Sequence, residues 1–139
     1  MAITLNNKVG LKINAIDLSD HVTSVTLNQT ADELEVTAMG DSSHKFVKGL
    51  ESATLTVSFL NDQAAASVLD TLSDAFGTTV AFKLIQDKVA AVAATNKLFT
   101  GDILINNLTP INGAVGDMST QDITFTVNSV VTVADTGTF

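Results

Sequence analysis

The side chains able to do chemistry are few, and their spacing does not arrange them for it. His44 follows Ser42 and Ser43, which invites a nucleophile-beside-base reading. Neighbours in sequence do not supply triad geometry, however, and no G-x-S-x-G elbow surrounds them. Solvated loop polars account for these three residues more simply. His21 follows Asp20 with no nucleophile in a recognisable setting, and the carboxylates of Asp17 and Asp20 suit a turn closed by Asx hydrogen bonds. Asp32, Glu33 and Glu35 form an acidic cluster of the kind that is usually just hydrated. Metal-binding patterns are missing from the sequence: there is no H-E-x-x-H, no calcium loop and no cysteine. Gly101, Gly113 and Gly116 match neither a Walker loop nor a dinucleotide fingerprint. The expectation is a protein with no catalytic residues, no metal and no cofactor.

Composition narrows the class further. A chain of 139 residues with 45% hydrophobic content is long enough for one domain with a real core, and 1–139 is read as a single domain. No apolar run approaches the roughly eighteen residues of a membrane span. The opening Met1 to Lys8 lacks the order of a signal peptide, so synthesis in a cytoplasm is expected. All seven basic residues are lysines, against fifteen acids, for a formal charge of −8. Without arginine there is no planar fork for phosphate or guanine, and the acidic balance argues against a surface that grips nucleic acid. A surface that nucleic acid slides past is compatible with it.

The elements that would carry these residues are mostly strands. In Ala53-Thr54-Leu55-Thr56-Val57-Ser58-Phe59 apolar and hydroxyl side chains alternate, which puts a greasy face on a core and a Ser/Thr face outward. Ile123 to Asn128 repeats the pattern, Val80, Phe82 and Leu84 do so loosely, and Val22 to Gln29, Leu11 to Ile13 and Leu98 to Leu108 add strand material. One helix is predicted over 61–76. Asn61 and Asp62 offer capping oxygens, Ala65, Val68, Leu69, Leu72 and Phe76 share a face, and Gly77 follows as a stop. Asp87 to Thr95 fits a helical turn or a hairpin arm equally well. Asn112-Gly113 suits a tight hairpin. Between the strands at 22–29 and 53–60 lies an oversized inter-strand loop at 31–49, of a length that is usually functional. Its Leu34, Val36, Met39, Phe46 and Val47 read as anchors for a partner surface. The fold class is mainly β, a β-sandwich or barrel with one flanking helix.

Three features resemble the major tail tube proteins of long-tailed bacteriophages. They are the opening Asp17-Leu18-Ser19-Asp20-His21-Val22, the segment Thr37-Ala38-Met39-Gly40-Asp41-Ser42 followed by Lys48-Gly49-Leu50-Glu51 and a long alternating strand, and the strand–helix–strand order around 61–76. The sequence departs from that family in the loop after Gly40-Asp41, where an aromatic, commonly tryptophan, is replaced by Ser43-His44-Lys45-Phe46. The resemblance implies a virion protein, assembled in the host cytoplasm, whose copies form hexameric rings stacked into a tail tube. DNA would pass through the lumen without specific binding, and six copies at −8 each would carry a formal −48. The implied partners are copies of the chain itself and other tail proteins (tape measure, tail tip and terminator), with no membrane. Leu34, Val36, Met39, Gly40, Asp41, Ser42, His44, Phe46 and Val47 become the expected subunit interface. Two other readings compete: another tail part such as a terminator, and a soluble β-sandwich binding module. The second is weakened by the absence of Trp and Tyr.

Overall fold

A computed structural model describes residues 3–139. Among these residues eight strands and one short α-helix follow one another, with a 3-10 turn at Ser19–His21 between the second and third strands: β1 (Gly10–Ile13), β2 (Ile16–Asp17), β3 (Val22–Glu35), β4 (Phe46–Leu60), α1 (Val68–Asp74), β5 (Thr79–Ile85), β6 (Leu98–Leu104), β7 (Thr120–Val127) and β8 (Thr132–Ala134). All pair antiparallel in one sheet ordered β2-β1-β5-β6-β7-β4-β3, with β8 added to β6. The mainly-β expectation holds.

Alternation builds the core. Leu55, Val57 and Phe59 of β4 and Ile123 and Phe125 of β7 are fully buried, while the hydroxyls between them point outward. These residues join one cluster with Leu11 and Ile13 of β1, Phe82 and Leu84 of β5, and Leu72 of α1. The sheet rolls until Val25 and Leu27 of β3 face Leu84 and Phe99 across a cleft, so one sheet encloses the core from several sides. On the outer side, Thr26, Thr56 and Thr124 sit in register across three strands, and the last two hydroxyls lie 3.2 Å apart.

The helix is shorter than the expected 61–76, and the caps explain why. Asn61 spends its side-chain amide on the Ser119 hydroxyl (2.8 Å) and its backbone N–H on the Ser119 carbonyl (3.0 Å). Asp62 accepts the Ala64 N–H in a local turn and binds His21 Nε2 at 2.9 Å. Ala66 then adopts a left-handed φ of +58°, held by its N–H to Asp70 Oδ2, so helix geometry starts only after Ser67. Val68, Leu69 and Leu72 are buried as the pattern requires, whereas Ala65 and Phe76 are exposed. The helix ends at Asp74 with Ala75 as its cap, and Gly77, at φ +81°, turns the chain toward β5.

Two further stretches are loops. Residues 87–95 wrap around Asn96, whose amide donates to the Asp87, Ala90 and Ala91 carbonyls while its oxygen accepts the Asp87 N–H. Asn112-Gly113 is no tight hairpin. It lies within the long connection from β6 to β7, where Asn112 donates to the Thr120 carbonyl.

Candidate assembly interface

Nine of the nineteen residues expected as a loop at 31–49 are strand. β3 and β4 remain paired out to Glu35 and Phe46, so only ten residues, 36–45, form the turn. The pairing changes character along the way. β4 is flanked by β7 only from Thr54 onward. Before that point the ladder is, among the described residues, a two-stranded arm with no third strand; only its base at Ala53 still belongs to the core. Sequence reasoning missed it because only the Val22–Gln29 half alternates between core and solvent. Beyond Gln29 every residue of β3 is exposed, and the alternation that remains, Glu33-Leu34-Glu35-Val36, is too short to mark a strand by itself.

A bulge sorts the arm into two unlike faces. The pairing passes from Ala31–Glu51 to Glu33–Lys48, so β4 carries one extra residue at Gly49-Leu50. Beyond the bulge Leu34 lies opposite Val47, Glu33 opposite Lys48 and Glu35 opposite Phe46. Val36 continues the Leu34 row, with its N–H on the Lys45 carbonyl. One face is therefore apolar (Leu34, Val36 and Val47). The other is ionic, with Phe46 set among Glu33, Glu35 and Lys48. By register the apolar row lies on the ribbon face opposite the buried Ala53, Leu55 and Val57, so it is no continuation of the core. Gly49 permits the arrangement: a side chain there would come within 2.9 Å of Asp32 Cβ and 3.2 Å of Leu34 Cγ.

The nine expected interface residues all fall on the arm, but not as one cluster. Leu34, Val36 and Val47 share the apolar face. His44 and Phe46 occupy the other side, where His44 Nδ1 meets Glu35 Oε2 at 2.5 Å and the His44 and Phe46 rings are 6.4 Å apart. His44 thus engages a carboxylate rather than either serine. Met39, Gly40, Asp41 and Ser42 make the turn itself. The Ala38 N–H donates to Asp41 Oδ2 (2.8 Å), the Asp41 N–H donates to the Ala38 carbonyl (3.1 Å), and Gly40 takes φ +94°. Lys45 Nζ holds Asp41 Oδ1 at 2.7 Å. That ammonium and the Ala38 N–H keep the Asp41 carboxyl below its ordinary range. Met39 is left entirely in solvent, at 104%.

A second turn of the same construction lies at the other end of the ladder. In Ala114-Val115-Gly116-Asp117 the Ala114 N–H donates to Asp117 Oδ2 (3.2 Å), the Asp117 N–H donates to the Ala114 carbonyl (3.0 Å), and Gly116 takes φ +88°. Val115 stands out at 106%, with Ile111 and Met118 exposed on either side. This loop runs into β7 at Thr120, which pairs with Leu60 at the far end of β4 from the arm. The shared Ala-x-Gly-Asp string at 38–41 and 114–117 was the sequence signal for it.

Two free edges complete the inventory. Among the described residues β3 ends the sheet with its outer flank unpaired, and the two-residue β2 forms the opposite end. β7 meets β6 at only two residue pairs, Ile103–Val127 and Leu104–Thr126.

No protein-family model matches the sequence, and no curated protein matches it. Among solved structures the fold is similar to that of a chain from the virion of a native gene transfer agent particle. The likeness has a TM-score of 0.76 over 95% of this chain and 99% of that one, at 11% sequence identity. At that identity it shows a common fold.

Proposed function

We propose that this chain is a structural protein of a phage-type virion, and that its copies form rings which stack into a tail tube. The observation that carries this reading is the arm: a ribbon with an apolar face and no core of its own to cover it. An isolated two-stranded ribbon is marginal in water, so a partner surface is what such an arm requires. Covering Leu34, Val36 and Val47, each about half exposed, contributes about 1 kcal/mol apiece. The fold-level likeness to a virion chain supports the same reading, as does the sequence resemblance to tail tube proteins.

Ring formation answers the edge problem. A long unpaired strand such as β3 is an aggregation hazard unless another chain pairs with it. The sparsely paired flank of β7 in the next copy is a suitable acceptor, and a heterologous contact of this kind closes into a ring when the rotation is right. Six copies is the number the family resemblance implies. The arm then reaches beyond its own ring, and the charge of −8 per copy keeps a central passage from holding DNA. In this reading Ser42, His44 and the acidic cluster serve folding and contact rather than catalysis.

The test is assembly of the purified chain at high concentration, followed by sedimentation and negative-stain microscopy, beside a variant lacking Met39 to Lys48. Rings or tubes from the intact chain, and folded monomers from the variant, are expected. An intact chain that stays monomeric after prolonged incubation would contradict the proposal.

A further inference from the structure

The geometry points to the acceptor of the arm: the 110–118 loop of a second copy, placed head to tail. The two Ala-x-Gly-Asp turns sit at opposite ends of β4, whose fifteen residues span roughly 50 Å at about 3.3 Å each. They cannot meet within one molecule. Each lifts one hydrophobic side chain, Met39 or Val115, wholly into water on a turn locked by its own aspartate. A locked turn loses little conformational entropy when covered, which is the economical way to present an apolar contact.

Charge sets the direction. The two turns treat their aspartates alike except in one respect. Asp41 has the Lys45 ammonium at 2.7 Å, whereas Asp117 has no cation beside it among the described residues. Lys45 stands at the end of the arm, opposite Val36 and next to the apolar face. Laid against the second copy's loop, it supplies the charge that Asp117 lacks, while Leu34, Val36 and Met39 meet Ile111, Val115 and Met118. A meeting of two arms, or of two loops, would instead set like surfaces with like charges together.

The contact joins unlike surfaces, so it repeats along an axis instead of closing a pair. A ribbon end on one loop offers far less than the roughly 800 Å² per partner of a stable interface. Only copies already held side by side gain from several such contacts at once. Stacking should therefore start abruptly with concentration.

This docking rests on the assembly reading above, and its test separates the two. The chain has no cysteine, so Met39→Cys and Val115→Cys chains can be mixed and oxidised in assembled material. Disulfide-linked pairs should form in the mixture and not in either variant alone. Val115→Asp should fold normally, since the side chain touches nothing, yet fail to give sedimentable tubes. Tubes that grow normally from Val115→Asp, or cross-links that form within the Met39→Cys chains alone, would overturn the docking while leaving tube formation standing. Wild-type protein that never assembles would overturn both.

Discussion

From Val22 to Asn28 and from Thr54 to Leu60, the β3–β4 ladder lies against β7 and buries Leu55, Val57 and Phe59. From Gln29 to Glu35 and from Phe46 to Ala53 the same two strands keep their cross-strand pairing but have no third strand. The backbone bonds are alike in both halves, so they do not account for the difference between them. What differs is the apolar surface each half covers. Net stabilisation by a backbone hydrogen bond is small because water competes for the same groups, whereas burial scales with area. The body half is held by the chain itself, and the arm half waits for another chain.

The largest effect that should separate the halves is a core truncation. Phe59→Ala removes a fully buried ring and should cost about 3–5 kcal/mol, readable as a shifted midpoint in chemical denaturation. The paired change Leu34→Ser with Val47→Ser should leave that midpoint within about 0.5 kcal/mol and instead abolish sedimentable assemblies. If the arm variant loses as much stability as the core variant, the halves are not distinct. Gly49→Val comes next in size. Its new side chain would crowd Asp32 and Leu34, so the arm register should slip while the body keeps its thermal transition; methyl and amide NMR shifts confined to residues 30–51 would report it.

The smallest effect is electrostatic. The Asp41 carboxyl titrates below its ordinary range, chiefly through Lys45 and then the Ala38 N–H. A carboxyl lowered in the folded state supports the turn above its ordinary range, and that support is lost as pH falls through the lowered value. Acid should therefore speed amide exchange at Ala38 relative to the body, and Asp41→Asn should remove the dependence. Since Asp41 is on the surface, added salt should also weaken it.

Much of the body was legible because its strands are half buried. Burial of Leu55, Val57 and Phe59 forces alternation with Thr54, Thr56 and Ser58, and that alternation is visible in the sequence. The arm was legible as an anomaly, a long stretch with unspent hydrophobic residues, but not as a paired ribbon. Glu33–Lys48 and Leu34–Val47 become partners only through the bulge at Gly49-Leu50, which shifts register by one residue and regroups every side chain beyond it. Phe46 and Val47, adjacent in β4, necessarily point to opposite faces, and the bulge decides that Val47 rather than Phe46 joins Leu34 and Val36. The helix was located correctly but overextended. Asn61 and Asp62 are good capping residues, yet tertiary partners at Ser119 and His21 claimed them first.

The central claim, that the arm is structured for another copy rather than for its own core, is tested most directly by hydrogen exchange on free and assembled protein. In the free chain the amides of 29–52 should exchange far faster than those of Thr54 to Phe59, and on assembly they should become comparably protected. An arm already as protected as the body in the free chain, or one that gains no protection on assembly, would contradict it.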